Sequence, residues 1–532
     1  MRLQFKLLGF LTLLGTSTIL SACAATQPNF EPNNIEESGP ITPTTPTTDV
    51  PKPTAEVVPV NRGFHFQTNN KVPSESDVFK HNYDLTFSLN FTNKSNDIYG
   101  TGWLFDWKGD EKALGIDGSF VPSITSNIDN SLLKDDQFTV YLATNLHVAD
   151  ALRNDQDYEP YKKDQNKQDF TENTKTEFFS LGKYLEGEQL KQYISKEENQ
   201  SANQTDKALV SIQASNIPKT AYTATDFVDM NSYSYNNITT SLPGNYADFA
   251  VIEVNLNLKN QRDQQILHDF VKPAIKAYKA LGDTLELFSA KPLNQFIEQN
   301  YYLLGYPVIN KGNNTANLLL AQQKSFDHNN SDHNQKSQWF TKDQSYINKL
   351  DRIPVLTNNY RAYNESTGSQ LFANQQNESW LNGVVIQDKG VVNFASFSNF
   401  TLKYHEKRFQ QYGYGLMLND TNFPGGSSGS PLIGKDNKLN SIYFGVLEIY
   451  QSGSLARNDI GMSQILRTPQ NDKGSSISKG SYDLIFGDKN TKNYYAKFAK
   501  DHQTHLYQKI KESKDEQFRF VETQETTNNL GN

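Results

Sequence analysis

Residues 419–434 read NDTNFPGGSSGSPLIG. Ser427, Ser428 and Ser430 sit among Gly425, Gly426 and Gly429, and Pro431 closes the group ahead of an apolar run. A serine hydroxyl is a poor nucleophile at neutral pH. It needs an imidazole to take its proton, a carboxylate to orient that imidazole, and backbone N–H groups aimed at the developing oxyanion. A turn in which two N–H groups converge leaves no room for side chains, which is a reason for glycine at these positions. A plain Gly/Ser surface loop has the same composition. The rest of the chain decides between the two.

Around that stretch the pattern is β. YDLTFSLNF (83–91) alternates with period two, and YGTGWLFDW (99–107) is an apolar run bounded by glycines. QFTVYLATNLHVA (137–149) is a strand running into a turn. TEFFSLGKYL, KALVSIQAS, ADFAVIEVNL, YYLLGYPV, GYGLML and SIYFGVLEIY follow. Many short strands with turn signals predict a mainly β sandwich or barrel. Polar stretches near 150–180, 186–207 and 310–345 are long for loops and are expected to be insertions. The spacing in 261–288 predicts a surface helix broken near Pro273, and 492–518 is expected to be helical as well.

The chain has 532 residues and a net charge of −8. No strongly basic block stands out, which argues against a nucleic-acid partner. The start, MRLQFKLLGFLTLLGTSTILSAC, places Arg2 and Lys6 before an apolar stretch and small residues before Cys23. It reads as a secretory signal whose Leu20-Ser21-Ala22-Cys23 fits the bacterial lipobox, so Cys23 is the expected lipidation site. Cys23 is the single cysteine, so no intrachain disulfide is possible. The Pro/Thr-rich stretch that follows reads as a tether. The expected organisation is a signal peptide with lipidated cysteine at 1–23, a tether and N-terminal extension at 24–82, a main domain at 83–460 and a partly helical extension at 461–532. The expected location is the outer face of the cell membrane.

Gly426-Ser427-Ser428-Gly429-Ser430-Pro431 resembles the G-x-S-G-[GS]-P signature of chymotrypsin-fold serine peptidases, nearer the glutamyl-endopeptidase and exfoliative-toxin branch. That resemblance selects Ser428 as the nucleophile. His147, in TNLHVAD, resembles the family's base, and Asp248, in YADFAVIEV, its carboxylate. The order His147, Asp248, Ser428 is the order of that fold. GTG at 100–102 and GYP at 305–307 match further marks of the bacterial members. With the lipobox and tether, the chain resembles the mycoplasma immunoglobulin protease family of surface lipoproteins.

The resemblance implies a chymotrypsin-like double β-barrel with long insertions and a C-terminal helix. It also implies a surface serine endopeptidase that cleaves a host protein, with immunoglobulin heavy chain as the family's substrate, beside an antibody-capturing lipoprotein partner, with no cofactor. The N–H groups of Gly426 and Ser428 are the implied oxyanion donors. Asn422 is placed at the base of the primary pocket. Glu448 faces either the cleft or outward. The alternative is a non-catalytic lipoprotein of the same fold acting as a binding or adhesion module. A third reading is an enzyme that cleaves its own tether. DHNNSDHN (327–334) has metal-ligand residue types, but a polar insertion has the same composition and no metal is expected.

Overall fold

The structure is a computed structural model that describes residues 79–114, 137–162, 174–193, 207–228, 244–290, 301–306, 401–418, 425–434, 436–451, 454–468 and 482–515, with Pro73, Phe518 and a few short backbone strands elsewhere. Cys23, Asn422 and the 327–334 stretch lie outside the described residues, as does nearly all of the tether.

The strands used below are β1 (Thr86–Asn93), β2 (Asp97–Lys108), β3 (Gln137–Thr144), β4 (Thr176–Glu186), β5 (Lys207–Gln213), β6 (Lys219–Thr225), β7 (Gly244–Asn257), β8 (Tyr301–Gly305), β9 (Leu319–Ser325), β10 (Thr401–Tyr404), β11 (Lys407–Gln411), β12 (Tyr414–Leu418), β13 (Pro431–Gly434), β14 (Leu439–Gln451) and β15 (Ser454–Ile465). The expected mainly β architecture is present as two sheets. One runs β10-β11-β7-β3-β2-β1-β4-β5, with β6 also on β7; the other runs β9-β8-β13-β14-β15-β12, with short strands at its ends. Among the described residues, neither strand order returns to its first strand.

The expected strand TEFFSLGKYL separates the polar stretches 150–180 and 186–207, and its first residues reach back into the former. It forms β4, between β1 and β5, because Phe179 and Leu181 are fully buried and give it an inward face. The boundary at 460 falls within β15, which is paired to β14 along most of its length. Strands β2, β3 and β7 are buried on both faces, which explains why their sequences are nearly continuous apolar runs rather than alternating ones. Their core includes Trp103, Phe105, Phe249 and Phe288, and burying each such ring contributes roughly 1.5–3 kcal/mol.

The helix near Pro273 is not broken. Its turns α3 (Gln261–Ile266) and α4 (Lys272–Ala280) are joined by a π turn at Leu267–Val271. Pro273 has no N–H to donate to the preceding turn, and the widened turn just before it accommodates that loss. The helix lies at the surface as expected, burying Ala274, Ile275 and Tyr278 on one face and exposing Lys276 and Lys279 on the other. The C-terminal region is a hairpin of two helices, α5 (Tyr495–His502) and α6 (His505–Glu512), rather than one helix. Gln503 adopts a left-handed φ of 54°, and Thr504 caps α6 by accepting from the Tyr507 N–H. The hairpin packs on the first sheet through Tyr495 against Phe105 and Phe498 against Tyr141.

Candidate active site

β3 ends at Thr144, and the chain turns at Asn145 into the single helical turn Leu146–Ala149. β3 is antiparallel to β7, with Thr144 opposite Ala250. That register brings the start of β7, and with it Asp248, beside the turn that carries His147. The imidazole Nδ1 lies 2.6 Å from Asp248 Oδ2, and the His147 backbone N–H donates to Asp248 Oδ1 at 3.1 Å. One carboxylate therefore holds both the ring and the backbone of the histidine. Asn145 adds a third tie, donating from Nδ2 to the Asp248 carbonyl at 2.7 Å. Both side chains are largely shielded from water, at 9% and 6% exposure. An ionised Asp248 accepts from Nδ1–H, which fixes the tautomer with Nε2 as the basic nitrogen.

The serine stretch is fixed to the same corner by backbone. The Thr101 N–H donates to the Ser428 carbonyl at 2.9 Å, and the Thr101 hydroxyl donates to the Gly426 carbonyl at 2.8 Å. Thr144, three residues before His147, donates its hydroxyl to the Thr101 carbonyl at 2.7 Å. Gly100, next to Thr101, lies so close to the helical turn that a Cβ there would come within 2.4 Å of Val148 Cγ1. Strand β2 thus holds the serine turn at Thr101 and the histidine turn at Gly100.

Gly429 has a φ of 98°, and a Cβ on it would meet the Thr101 carbonyl at 1.9 Å. Only glycine fits there. Gly426 is also left-handed, with a φ of 94°. Ser430 closes the turn, donating its hydroxyl to the Ser427 carbonyl at 2.6 Å. The turn is then locked to β14, where the Gly429 N–H donates to the Tyr443 carbonyl and the Tyr443 N–H to the Ser430 carbonyl. The Ser428 hydroxyl points at the Phe444 carbonyl at a long 3.4 Å and is fully buried.

The structure therefore brings His147 and Asp248 into direct contact, and it ties Gly426 and Ser428 to the same strand. Glu448 lies on β14. Among the described residues, no group of three His, Cys, Asp or Glu is placed to hold a metal. No described helix is long and apolar enough to cross a membrane. The sequence reading missed the fastening roles of Thr101, Thr144 and Asn145. Their signal was their place beside GTG and TNLH, but their partners lie 43 to 325 residues away.

A family model described as mycoplasma immunoglobulin protease matches residues 76–445. An uncharacterized lipoprotein of Mycoplasma genitalium is 43% identical, with 98% of this chain and 96% of that one covered. An uncharacterized lipoprotein of Mycoplasma pneumoniae is 40% identical, with 99% and 98% covered. Among solved structures, one titled as the structure of the mycoplasma MIB and MIP proteins aligns with a TM-score of 0.39 and 17% identity, covering 80% of this chain and 63% of that one.

Proposed function

The chain belongs to the mycoplasma immunoglobulin protease family, and from that premise we propose that it is a lipid-anchored surface serine endopeptidase using Ser428, His147 and Asp248. The observation that carries the reading is the double hold of Asp248 on His147, at 2.6 and 3.1 Å, on the strand corner to which the Ser428 turn is fastened.

Ser428 Oγ attacks the substrate carbonyl while His147 Nε2 takes its proton. His147 then returns that proton to the leaving amine, and Asp248 stabilises the imidazolium formed in between. The N–H groups of Gly426 and Ser428 bind the oxyanion, and loss of one such donor typically costs about 10²–10³ in rate. Water, deprotonated by the same histidine, releases the acyl group from Ser428. The substrate enters as an extended strand on the edge of β14 beyond Phe444. In this reading the two sheets are two opened barrels of chymotrypsin type.

The substrate is a host protein, with immunoglobulin the first choice from the family's name; within this proposal the heavy chain is the part cleaved and an antibody-capturing lipoprotein presents it. Asn422 and Glu448 are the pocket candidates. Cys23 carries the lipid and holds the enzyme on the outer membrane face, in keeping with the lipoprotein names of its relatives. A binding module of the same fold is the competing reading, and it predicts capture without cleavage. The test incubates wild type and Ser428→Ala with casein and with IgG, the latter both alone and with a candidate antibody-capturing lipoprotein, and resolves the products on a denaturing gel. A discrete heavy-chain fragment from wild type alone is the expected result. Cleavage of casein only removes the immunoglobulin assignment, and cleavage of neither removes the protease.

A further inference from the structure

Strand β2 carries an aspartate among buried apolar neighbours. Asp106 is fully buried, at a register irregularity between β2 and β3. Its carboxylate is met by the C-terminal hairpin. Tyr495 Oη donates to Oδ2 at 3.0 Å, the Leu506 N–H donates to Oδ1 at 2.9 Å, and the Thr504 side chain adds a hydrogen bond. The Trp107 N–H, from β2 itself, also donates to Oδ1, at 2.8 Å. A second layer lies outside. The His505 ring stacks on Trp107 at 3.9 Å and reaches Glu111, which also pairs with Lys279 of α4. The other ionisable groups facing this region are Tyr141 of β3 and Glu253 of β7.

We propose that α5 and α6 form a clasp on the first sheet that tightens in mild acid, with Asp106 as the group that binds the proton. Burial raises the Asp106 carboxyl to about 6, although its hydrogen bonds and the nearby His505 pull the other way. When the hairpin lifts off, the carboxyl returns to water and to its ordinary value near 3.8. A group whose pKa is higher in the closed state favours that state as pH falls. Closure therefore gains between about pH 6 and pH 4, and opening is roughly tenfold rarer at pH 5 than at pH 7.

On protonation Oδ1 still accepts the Leu506 and Trp107 N–H groups, while the bond between Oδ2 and Tyr495 Oη reverses, with Oδ2–H as the donor and the phenol giving up its own bond to the carboxyl. Tyr141 and Tyr495 are pushed far above their ordinary range by burial and stay neutral. Burial pushes Glu111 up as well, but its hydrogen bonds and attraction to His505 and Lys279 outweigh that and hold it near 2. The outer layer therefore keeps its Glu111 charge across the window.

Hydrogen exchange over residues 495–512 of the full chain in detergent, corrected for the intrinsic pH dependence, reads the opening directly. Protection is expected to rise about tenfold from pH 7 to pH 5 in wild type and in His505→Gln, and to stay flat in Asp106→Asn. A flat wild type, or an Asp106→Asn protein that keeps the rise, overturns the proposal. Loss of the rise in His505→Gln also overturns it, because the proton then belongs to His505. If Asp106→Asn leaves the hairpin unprotected throughout, Tyr495→Phe decides. It keeps the carboxylate and must keep the rise.

Discussion

Asp248 accepts from both the ring and the backbone of His147, so its two oxygens do different work. Asp248→Asn keeps the shape but offers Nδ1 the wrong partner for the catalytic tautomer. Turnover is expected to fall by about 10⁴ with little change in thermal stability, measured as peptide-cleavage rate beside a melting curve. Gly429→Ala is the opposite case. The new Cβ meets the Thr101 carbonyl at 1.9 Å and the backbone is left-handed, so the serine turn is not expected to form, and active-site labelling is lost. Gly187→Ala is its control, with a φ of 57° but open space around it, and only a small stability loss is expected. At this scale the three residues of the proposed triad stood out because each sits in a short local pattern, and the structure brings two of them, His147 and Asp248, into contact. Asp106 did not, because Tyr495 and Leu506, which explain it, lie 389 and 400 residues away.

Strand β2 is the element on which the proposed site depends. Thr101 alone joins the Gly426 carbonyl, the Ser428 carbonyl and the Tyr306 N–H. Thr101→Val keeps the volume and removes the hydroxyl, leaving the Gly426 carbonyl and the Tyr306 N–H without it. The expected cost is about 1–3 kcal/mol in stability, with slower labelling of Ser428, measured by denaturant unfolding and a labelling time course. The strands were legible because turn residues bound apolar runs. Helix ends were less so. Pro273 suggested a break, but tertiary packing of Ile275 and Tyr278 carries the helix through it with a π turn. In 492–518 the helical spacing hid the turn at Gln503-Thr504, where a left-handed residue and a cap divide one apparent helix into two.

Across the whole molecule, the first sheet gathers distant parts of the chain. Lys183 of β4 is fully buried, donating to the carbonyls of Tyr83 and Asp84 at 2.6 and 2.7 Å and lying over the rings of Tyr83 and Phe87. Burial pushes its ammonium down to about 7, against the pull of Asp84. A lysine lowered in the folded state costs most when both states are charged, below about pH 7, and that cost fades as pH rises toward its unfolded value of 10.5. The denaturant midpoint of the wild type is therefore expected to rise between pH 7 and pH 9, and Lys183→Met is expected to remove that rise. A flat wild-type profile would remove the assignment. Composition hinted at none of this, because a lysine in TEFFSLGKYL reads as an outward strand residue until its neighbours are known.

The most direct test of the catalytic reading is fluorophosphonate labelling of the protein followed by peptide mapping. The expected result is one adduct, on Ser428, lost in Ser428→Ala and slowed by orders of magnitude in His147→Ala. No adduct, an adduct on Ser427 or Ser430, or equal labelling in His147→Ala would contradict a nucleophile activated by the His147–Asp248 pair.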